Sequence, residues 1–312
     1  MRLIKDKTTI DFLSPARRKI ALGLSVILLV VSIASLSTRG LNFGIDFTGG
    51  LLIEVGYPQA ADIEAIRTTL ADAGFDDALV QQFGADTDVL VRLPPQEDAS
   101  TRDVRERLEG ILIGDTGADL RRVESVSPQV GAELAEQGSL AMIFALLMIF
   151  AYVMFRFQWK FAAGAVAALV HDVIVTVGFF SIFGLAFDLT VVAAVLAVIG
   201  YSLNDTVVTF DRVRENFFKL RGTEAFESMN ISVNEMLART IITGLTTLLV
   251  LAALLVLGGE SIAPFSIALI VGIVIGTYSS IYTASATALL LDVSPQDLIE
   301  PVKDPELIDD LP

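Results

Sequence analysis

Six long apolar runs leave this chain almost no choice of fold. They cover residues 19–37, 139–155, 161–183, 189–210, 240–257 and 264–291. As a helix, each is long enough to cross roughly 30 Å of hydrocarbon. Hydrocarbon offers no water to backbone N–H and C=O groups, so a spanning segment must satisfy them within itself. Six membrane helices are therefore expected, in keeping with a chain that is 53% hydrophobic. The first run has the basic flank and apolar core of a signal peptide. It lacks an Ala-x-Ala cleavage site and five more runs follow, so it reads as a retained first span.

Basic residues set the orientation, because Lys and Arg concentrate in cytoplasmic loops. Arg2, Lys5, Lys7, Arg17, Arg18 and Lys19 stand at the first run, Arg156 and Lys160 between the second and third, and Arg212, Arg214, Lys219 and Arg221 after the fourth. Alternating spans put all three groups on one side. Both termini are then cytoplasmic and the large domain extracytoplasmic. The chain divides into an N-terminal segment (1–18), a first span (19–37), an outer domain (38–138), spans two to six (139–291) and an acidic tail (292–312). The outer domain carries 8 Lys/Arg against 19 Asp/Glu, and the tail 1 against 7. Acidic residues contribute little to the orientation rule, so the tail does not oppose it. With no cysteine, the outer domain has no disulfides and must build its own core.

That domain has a readable order. A short apolar run at 51–55 is followed by a helical pattern at 60–73 through Ile63, Ile66 and Leu70, ending at Gly74. Strand-like segments at 78–83 and 89–93 flank a turn at Gly84. A second helical pattern at 100–112 runs through Val104, Leu108, Ile111 and Leu112, and a last strand covers 119–126. The order βαββαβ is the ferredoxin-like or split βαβ arrangement.

Ionisable residues at membrane depth carry the functional signal. Asp172 lies in the third run beside His171, the chain's single histidine, Asp205 lies in the fourth, and Arg239 opens the fifth. A charge at the centre of a membrane helix costs about 3 kcal/mol on insertion scales, so such residues pair with each other or line a wet path. His171 alone could be a satisfied core histidine. Asp172 and Asp205 call for partners. The fourth run also holds Tyr201, Ser202, Asn204 and Thr206, a polar cluster in which Ser202 and Asn204 read as hydrogen-bonding glue between helices. Two readings of Arg239 stay open: it snorkels to the headgroups, or it is the counter-charge of Asp205, since both lie toward the cytoplasmic ends of antiparallel spans. A carboxylate poised between burial and a nearby cation can load a proton from one side and unload it to the other, and its protonation could tilt the bundle and swing the outer domain.

Other patterns have structural explanations. Ala268, Gly272, Gly276, Ser280, Ala284 and Ala288 repeat every four residues, which permits close helix approach. Residues 212–222 resemble an amphipathic helix on the cytoplasmic surface. The glycines of 42–50 suit a membrane-proximal joint where the chain leaves the first span.

Taken together, Gly44-Ile45-Asp46-Phe47-Thr48-Gly49-Gly50, His171-Asp172-Val173 and Gly200-Tyr201-Ser202-Leu203-Asn204-Asp205-Thr206-Val207-Val208 closely resemble the SecF family of protein-export membrane proteins. Asp211-Arg212-Val213-Arg214-Glu215 and the 34-residue separation of Asp205 and Arg239 fit the same pattern. The resemblance covers about residues 20–300. It implies an RND-like six-span bundle, pseudo-symmetric with a SecD partner, in a bacterial plasma (inner) membrane. It implies work with the SecYEG translocon, with YajC as a further partner, in which the proton-motive force drives preprotein movement on the outer side. Protons are then the coupling ion and no other cofactor is expected. The acidic tail matches nothing in that pattern.

A reading from another class is half of an RND-type proton-coupled small-molecule exporter. Such a machine needs larger outer domains than the roughly 100 residues found here. Enzyme readings lack their residues: there is no Gly-x-Ser-x-Gly, no His-Glu-x-x-His, no cysteine nucleophile and no Gly-Lys-Ser/Thr loop for nucleotide phosphates.

Overall fold

Proline marks where three of the long helices begin. It has no N–H to donate, which costs nothing in a first helical turn, and Pro15, Pro128 and Pro264 stand there. In this computed structural model, which describes residues 8–96, 101–220 and 222–294, helix α1 (Pro15–Thr38) leads into a two-residue strand β1 (Asn42–Phe43) and a one-turn helix α2 (Ile45–Thr48). Arg2, Lys5, Lys7, Arg221 and most of the acidic tail lie outside the described residues.

The domain that follows comprises β2 (Gly50–Gly56), α3 (Ile63–Asp72), β3 (Leu79–Phe83), β4 (Ala85–Leu93), α4 (Thr101–Leu112) and β5 (Asp119–Val126). Its strands lie in the order β3-β4-β2-β5, every neighbouring pair antiparallel, the ferredoxin-like topology read from the sequence. Alternation along β2 turns Leu51, Ile53 and Val55 inward, where they meet Leu70 of α3 and Val104, Leu108 and Leu112 of α4. Each fully buried aliphatic side chain there contributes roughly 2 kcal/mol. Helix α3 starts later than the apolar pattern suggests because the Asp62 carboxylate caps it, accepting from the N–H groups of Glu64 and Ala65 at 3.1 Å each. Strand β4 starts earlier, since Gly84 at φ 77° allows Phe83 to pair directly with Ala85.

The remaining helices are α5 (Pro128–Arg156), α6 (Trp159–Phe183), α7 (Leu189–Lys219), α8 (Ala225–Leu257) and α9 (Ala263–Ser279), which runs through a π-helical segment Ser280–Ala284 into α10 (Ser285–Leu290). A short strand β6 (Ala186–Phe187) before α7 pairs in parallel with β1. Counting α9 to α10 as one, six helices among the described residues are long and apolar enough to cross a membrane. Helices α6 and α7 have half of their apolar windows covered by protein, whereas α5 has 6%. The bundle is thus built around α6, α7 and α9, with α5 at its margin.

Two helices continue past their apolar runs. The expected surface helix at 212–222 is instead the end of α7, paired with the start of α8. Val213, Asn216 and Phe217 are buried there. Asn216 Nδ2 donates to Ser232 Oγ at 2.9 Å and to Glu235 at 2.8 Å, and Arg212 Nε donates to Glu235 at 2.6 Å. An extended segment before α1 lies against the same hairpin. Ile10 N–H donates to Asn234 Oδ1 and Phe12 N–H to Asn230 Oδ1, both at 2.8 Å. Leu13 is wholly buried beside Phe157, Phe161, Phe217 and Met229.

Candidate functional site

Three helices meet at one carboxylate. Asp172 of α6 is 1% exposed. Its Oδ2 accepts from Ser202 Oγ of α7 and from Ser279 Oγ of α9, each at 2.6 Å. Its Oδ1 lies 3.0 Å from Nδ1 of His171. A buried carboxylate without donors costs several kcal/mol, and here both oxygens are engaged. Small residues make the approach possible. A Cβ on Gly276 would stand 3.2 Å from Ser202 Cβ and 3.6 Å from Asp172 Oδ2, and one on Gly272 would collide with Val198. The Gly272–Gly276 part of the four-residue stripe therefore serves the contact of α9 with α7, while Ala284 and Ala288, beyond α9, lie against Gly164 of α6.

One turn along α7, about 4.5 Å from Ser202 at helical rise, Asp205 is 4% exposed. Its Oδ2 has no hydrogen-bond partner among the described residues, and neither has Thr206 Oγ1, the Tyr201 hydroxyl or His171 Nε2. The bundle interior thus holds a carboxylate with both oxygens engaged and, one turn along α7 from its Ser202 donor, a second with an oxygen unsatisfied among the described residues.

Two expectations need correction. Arg239 makes no ion pair with Asp205, although α7 and α8 are neighbours, and its side chain is uncovered by this chain. The buried face of α8 runs through Val233, Leu237, Thr240 and Gly244. Arg239 is one residue off Thr240, hence about 100° around the helix. Sequence spacing says nothing of its direction around the helix. Asn204 is also uncovered on α7 and glues no helix here, while Ser202 does.

The glycine-rich motif forms the joint. Gly44 N–H donates to the carbonyl of Phe187 at 2.8 Å, and Asp46 Oδ2 accepts from the N–H of Leu189, the first residue of α7, at 3.0 Å. Gly49 (φ 70°) and Gly50 (φ 117°) hold left-handed conformations. A Cβ on Gly49 would lie 2.8 Å from Pro128 Cα at the start of α5. Sequence reasoning missed Arg92 of β4, whose Nη1 donates to Asn42 Oδ1 and to the carbonyl of Phe43, both at 3.0 Å. Burial lowers the pKa of this guanidinium, opposed by the carboxylates of Asp188 and Asp46. Ser279 was missed too, its one signal being a serine pair inside an apolar run. The π-helical segment beginning at Ser280 had no signal at all, though such segments gather at functional sites.

Known proteins agree with this architecture. Residues 113–294 match the family described as protein export membrane protein SecD/SecF, C-terminal, and residues 34–61 match the SecD/SecF GG motif. The chain is 51% identical to protein translocase subunit SecF of Pseudomonas aeruginosa over 97% of its own length and 98% of that protein. It is 48% identical to the Vibrio alginolyticus subunit over 96% and 95%. Among solved structures, it superimposes on SecDF, a translocon-associated membrane protein from Thermus thermophilus, with a TM-score of 0.85 at 35% identity, covering 93% of this chain. It superimposes on SecDF in a super-membrane-facing form with a TM-score of 0.67 at 36% identity and 94% coverage. In both cases the chain spans 40% of the solved chain.

Proposed function

The chain belongs to the SecD/SecF family of protein-export membrane proteins, and from that premise we propose that it converts the proton-motive force into preprotein movement and release on the outer face of the membrane. The observation that carries the proposal is the pair of buried carboxylates in the bundle, Asp172 held by Ser202 and Ser279, and Asp205, one turn along α7 from Ser202, with an oxygen that has no partner among the described residues. Neutral Asp205 tolerates such a place. Once ionised it needs a cation or water. Arg239 stands on the adjoining helix, and a turn of α8 by about 100° would bring it round. Proton loading and release at Asp205 thus alternates two packings of α7 against α8, and α7 begins at the joint that carries the outer domain. Two family structures equally similar in sequence differ in their likeness of shape to this chain, with TM-scores of 0.85 and 0.67. That difference suits a machine with more than one conformation.

In this reading both termini are cytoplasmic and the ferredoxin-like domain is extracytoplasmic. SecD completes the bundle, and SecYEG, the preprotein and YajC are the working partners. Protons are the coupling ion, and the chain does no covalent chemistry. Asp205→Asn keeps the shape and removes the charge. With the variant at wild-type abundance and assembled, export driven by an imposed proton gradient is expected to fall about 100-fold, as for loss of an essential proton carrier. Export at the wild-type rate would overturn the proposal.

A further inference from the structure

The outer domain touches the bundle through few polar contacts, and one of them reaches the helix that bears Asp205. Arg92 extends from β4, a central strand of the sheet. Its Nη1 donates to Asn42 Oδ1 and to the carbonyl of Phe43. Asn42 in turn donates through Nδ2 to the carbonyl of Gly184 at 3.0 Å, in the turn before α7. Phe43 pairs with Phe187 in the β1–β6 ladder, two residues before α7. Asp46, on the same short segment, caps the first N–H of α7, and Asp188 caps the third, Val191, at 3.0 Å. Domain, glycine-rich joint and α7 N-terminus are thus linked by consecutive hydrogen bonds, with Arg92 as the only member supplied by the sheet.

The surroundings of Arg92 fit a moving part. A cavity of about 290 Å³ separates the sheet from the helix ends, lined by Asp46, Arg92, Arg122, Asp188 and Ser261 among others. Arg92 Nε is buried without a partner, so the guanidinium is only partly satisfied where it lies. Two carboxylates, Asp46 and Asp188, are close enough to act on its charge. The hydrophobic core of the domain does without Arg92. The half-buried guanidinium lies outside that core and is bonded to β1, the strand that pairs with the turn before α7, so the side chain adds nothing to the apolar packing of the sheet.

We propose that Arg92 is the latch through which movement of α7 is passed to the outer domain, a positioning residue for export. This rests on the proton-coupling role of Asp205 above. When α7 shifts, Asn42, Phe43 and Asp46 shift with it, and Arg92 pulls β4 along. Without the guanidinium, the joint's glycines leave the domain free to lag behind.

The chain has no cysteine, so Glu106→Cys on α4 and Leu257→Cys at the end of α8 give two unique sites for spin labels. Distances are measured by pulsed electron resonance on the full chain in lipid bilayers, with Asp205 intact and with Asp205→Asn. In the otherwise unchanged chain, Asp205→Asn is expected to move the distance distribution. With Arg92→Gln that movement disappears, and export falls about tenfold, as for one charge-assisted hydrogen-bonding group. Arg92→Lys, which keeps the charge and one donor, restores the movement. Should Arg92→Gln fail to accumulate, Asn42→Ala removes one of the two acceptors instead, together with the bond to Gly184, and is expected to reduce the movement in the same direction. An Asp205→Asn movement unchanged by Arg92→Gln or by Asn42→Ala overturns the latch alone. No movement in the chain with Arg92 intact overturns the coupling role of Asp205, and the latch with it.

Discussion

The outer domain and the helical bundle are folded by opposite rules. In the domain, Ile53, Val55, Leu70, Val89, Val91 and Leu108 are almost wholly buried, and the ion pairs, such as Arg102 with Glu106 and Arg67 with Glu64, lie on the surface. In the bundle, His171, Asp172, Ser202, Asp205 and Ser279 are inside, while Ile143, Phe144, Leu147, Leu249 and Val250 face outward. The difference follows from the solvent. Water rewards burial of apolar surface. Lipid is as apolar as leucine, so between membrane helices close packing and polar contacts do the holding. In this bundle polar groups set within a mostly apolar interior supply both cohesion and the candidate site, whereas in the domain the core is cohesion alone.

Inverting polarity in each region is the harshest way to break that contrast. Leu108→Asp puts an unpaired carboxylate into the domain core, at a cost of more than about 5 kcal/mol after the lost burial is included. The domain is expected to unfold and become protease-sensitive. Asp172→Leu takes a buried charge out of the bundle but leaves Ser202 without its acceptor and His171 Nδ1 without its neighbour, at a smaller cost of about 1–3 kcal/mol. The chain is expected to accumulate normally and to lose export. Equal loss of abundance in both variants would end the contrast.

Glycines sharpen it at smaller magnitude. Gly276 of α9 faces Ser202 closely, whereas Gly110 of α4 has open space around it. Gly276→Val overpacks the α7–α9 contact and should cost about 1–3 kcal/mol. Gly110→Ala removes a helix-interior glycine and should gain about 0.5–1 kcal/mol. Thermal unfolding of the purified variants reads both, and a stabilised Gly276→Val would show that the helices have slack between them.

Smallest is a pH effect confined to the domain. Tyr57 lies over the end of α4, its hydroxyl donating to the carbonyl of Leu112 at 3.3 Å, and burial raises its pKa above the usual 10. A raised folded-state value favours the neutral phenol. Its stabilisation is complete below about pH 10 and is lost as pH rises through the folded value. On a fragment of residues 40–136, whose core is self-contained, the denaturant midpoint should fall above that pH, and Tyr57→Phe should flatten the fall.

The contrast also explains what could be read in advance. Domain order was legible because water writes apolar alternation and helical spacing into each element, as at Leu51, Ile53 and Val55 or Val104, Leu108 and Leu112. The six spans were legible by length and hydropathy. Asp172 and Asp205 stood out because charge at that depth is costly. What hydropathy cannot encode is azimuth: a lipid-facing stripe and a helix-facing stripe are equally apolar, so the outward directions of Arg239 and Asn204 were hidden. Ser279 was hidden for a related reason, since a serine can satisfy itself on its own helix and needs no partner to be tolerated. Arg92 gave no signal, because the acceptors that define it lie about 50 residues earlier in the chain.

The grip of Asn230 and Asn234 on residues 10–13 bears on how the molecule is made. The segment before α1 emerges first and its partners more than 200 residues later. At ordinary elongation rates that interval is roughly 10–40 s. Throughout it the first helix must wait in the bilayer with its leading residues unclaimed. The clasp can close only once the start of the fifth long helix has emerged, so it acts as a checkpoint on biogenesis, fixing the leading segment before the sixth helix is made.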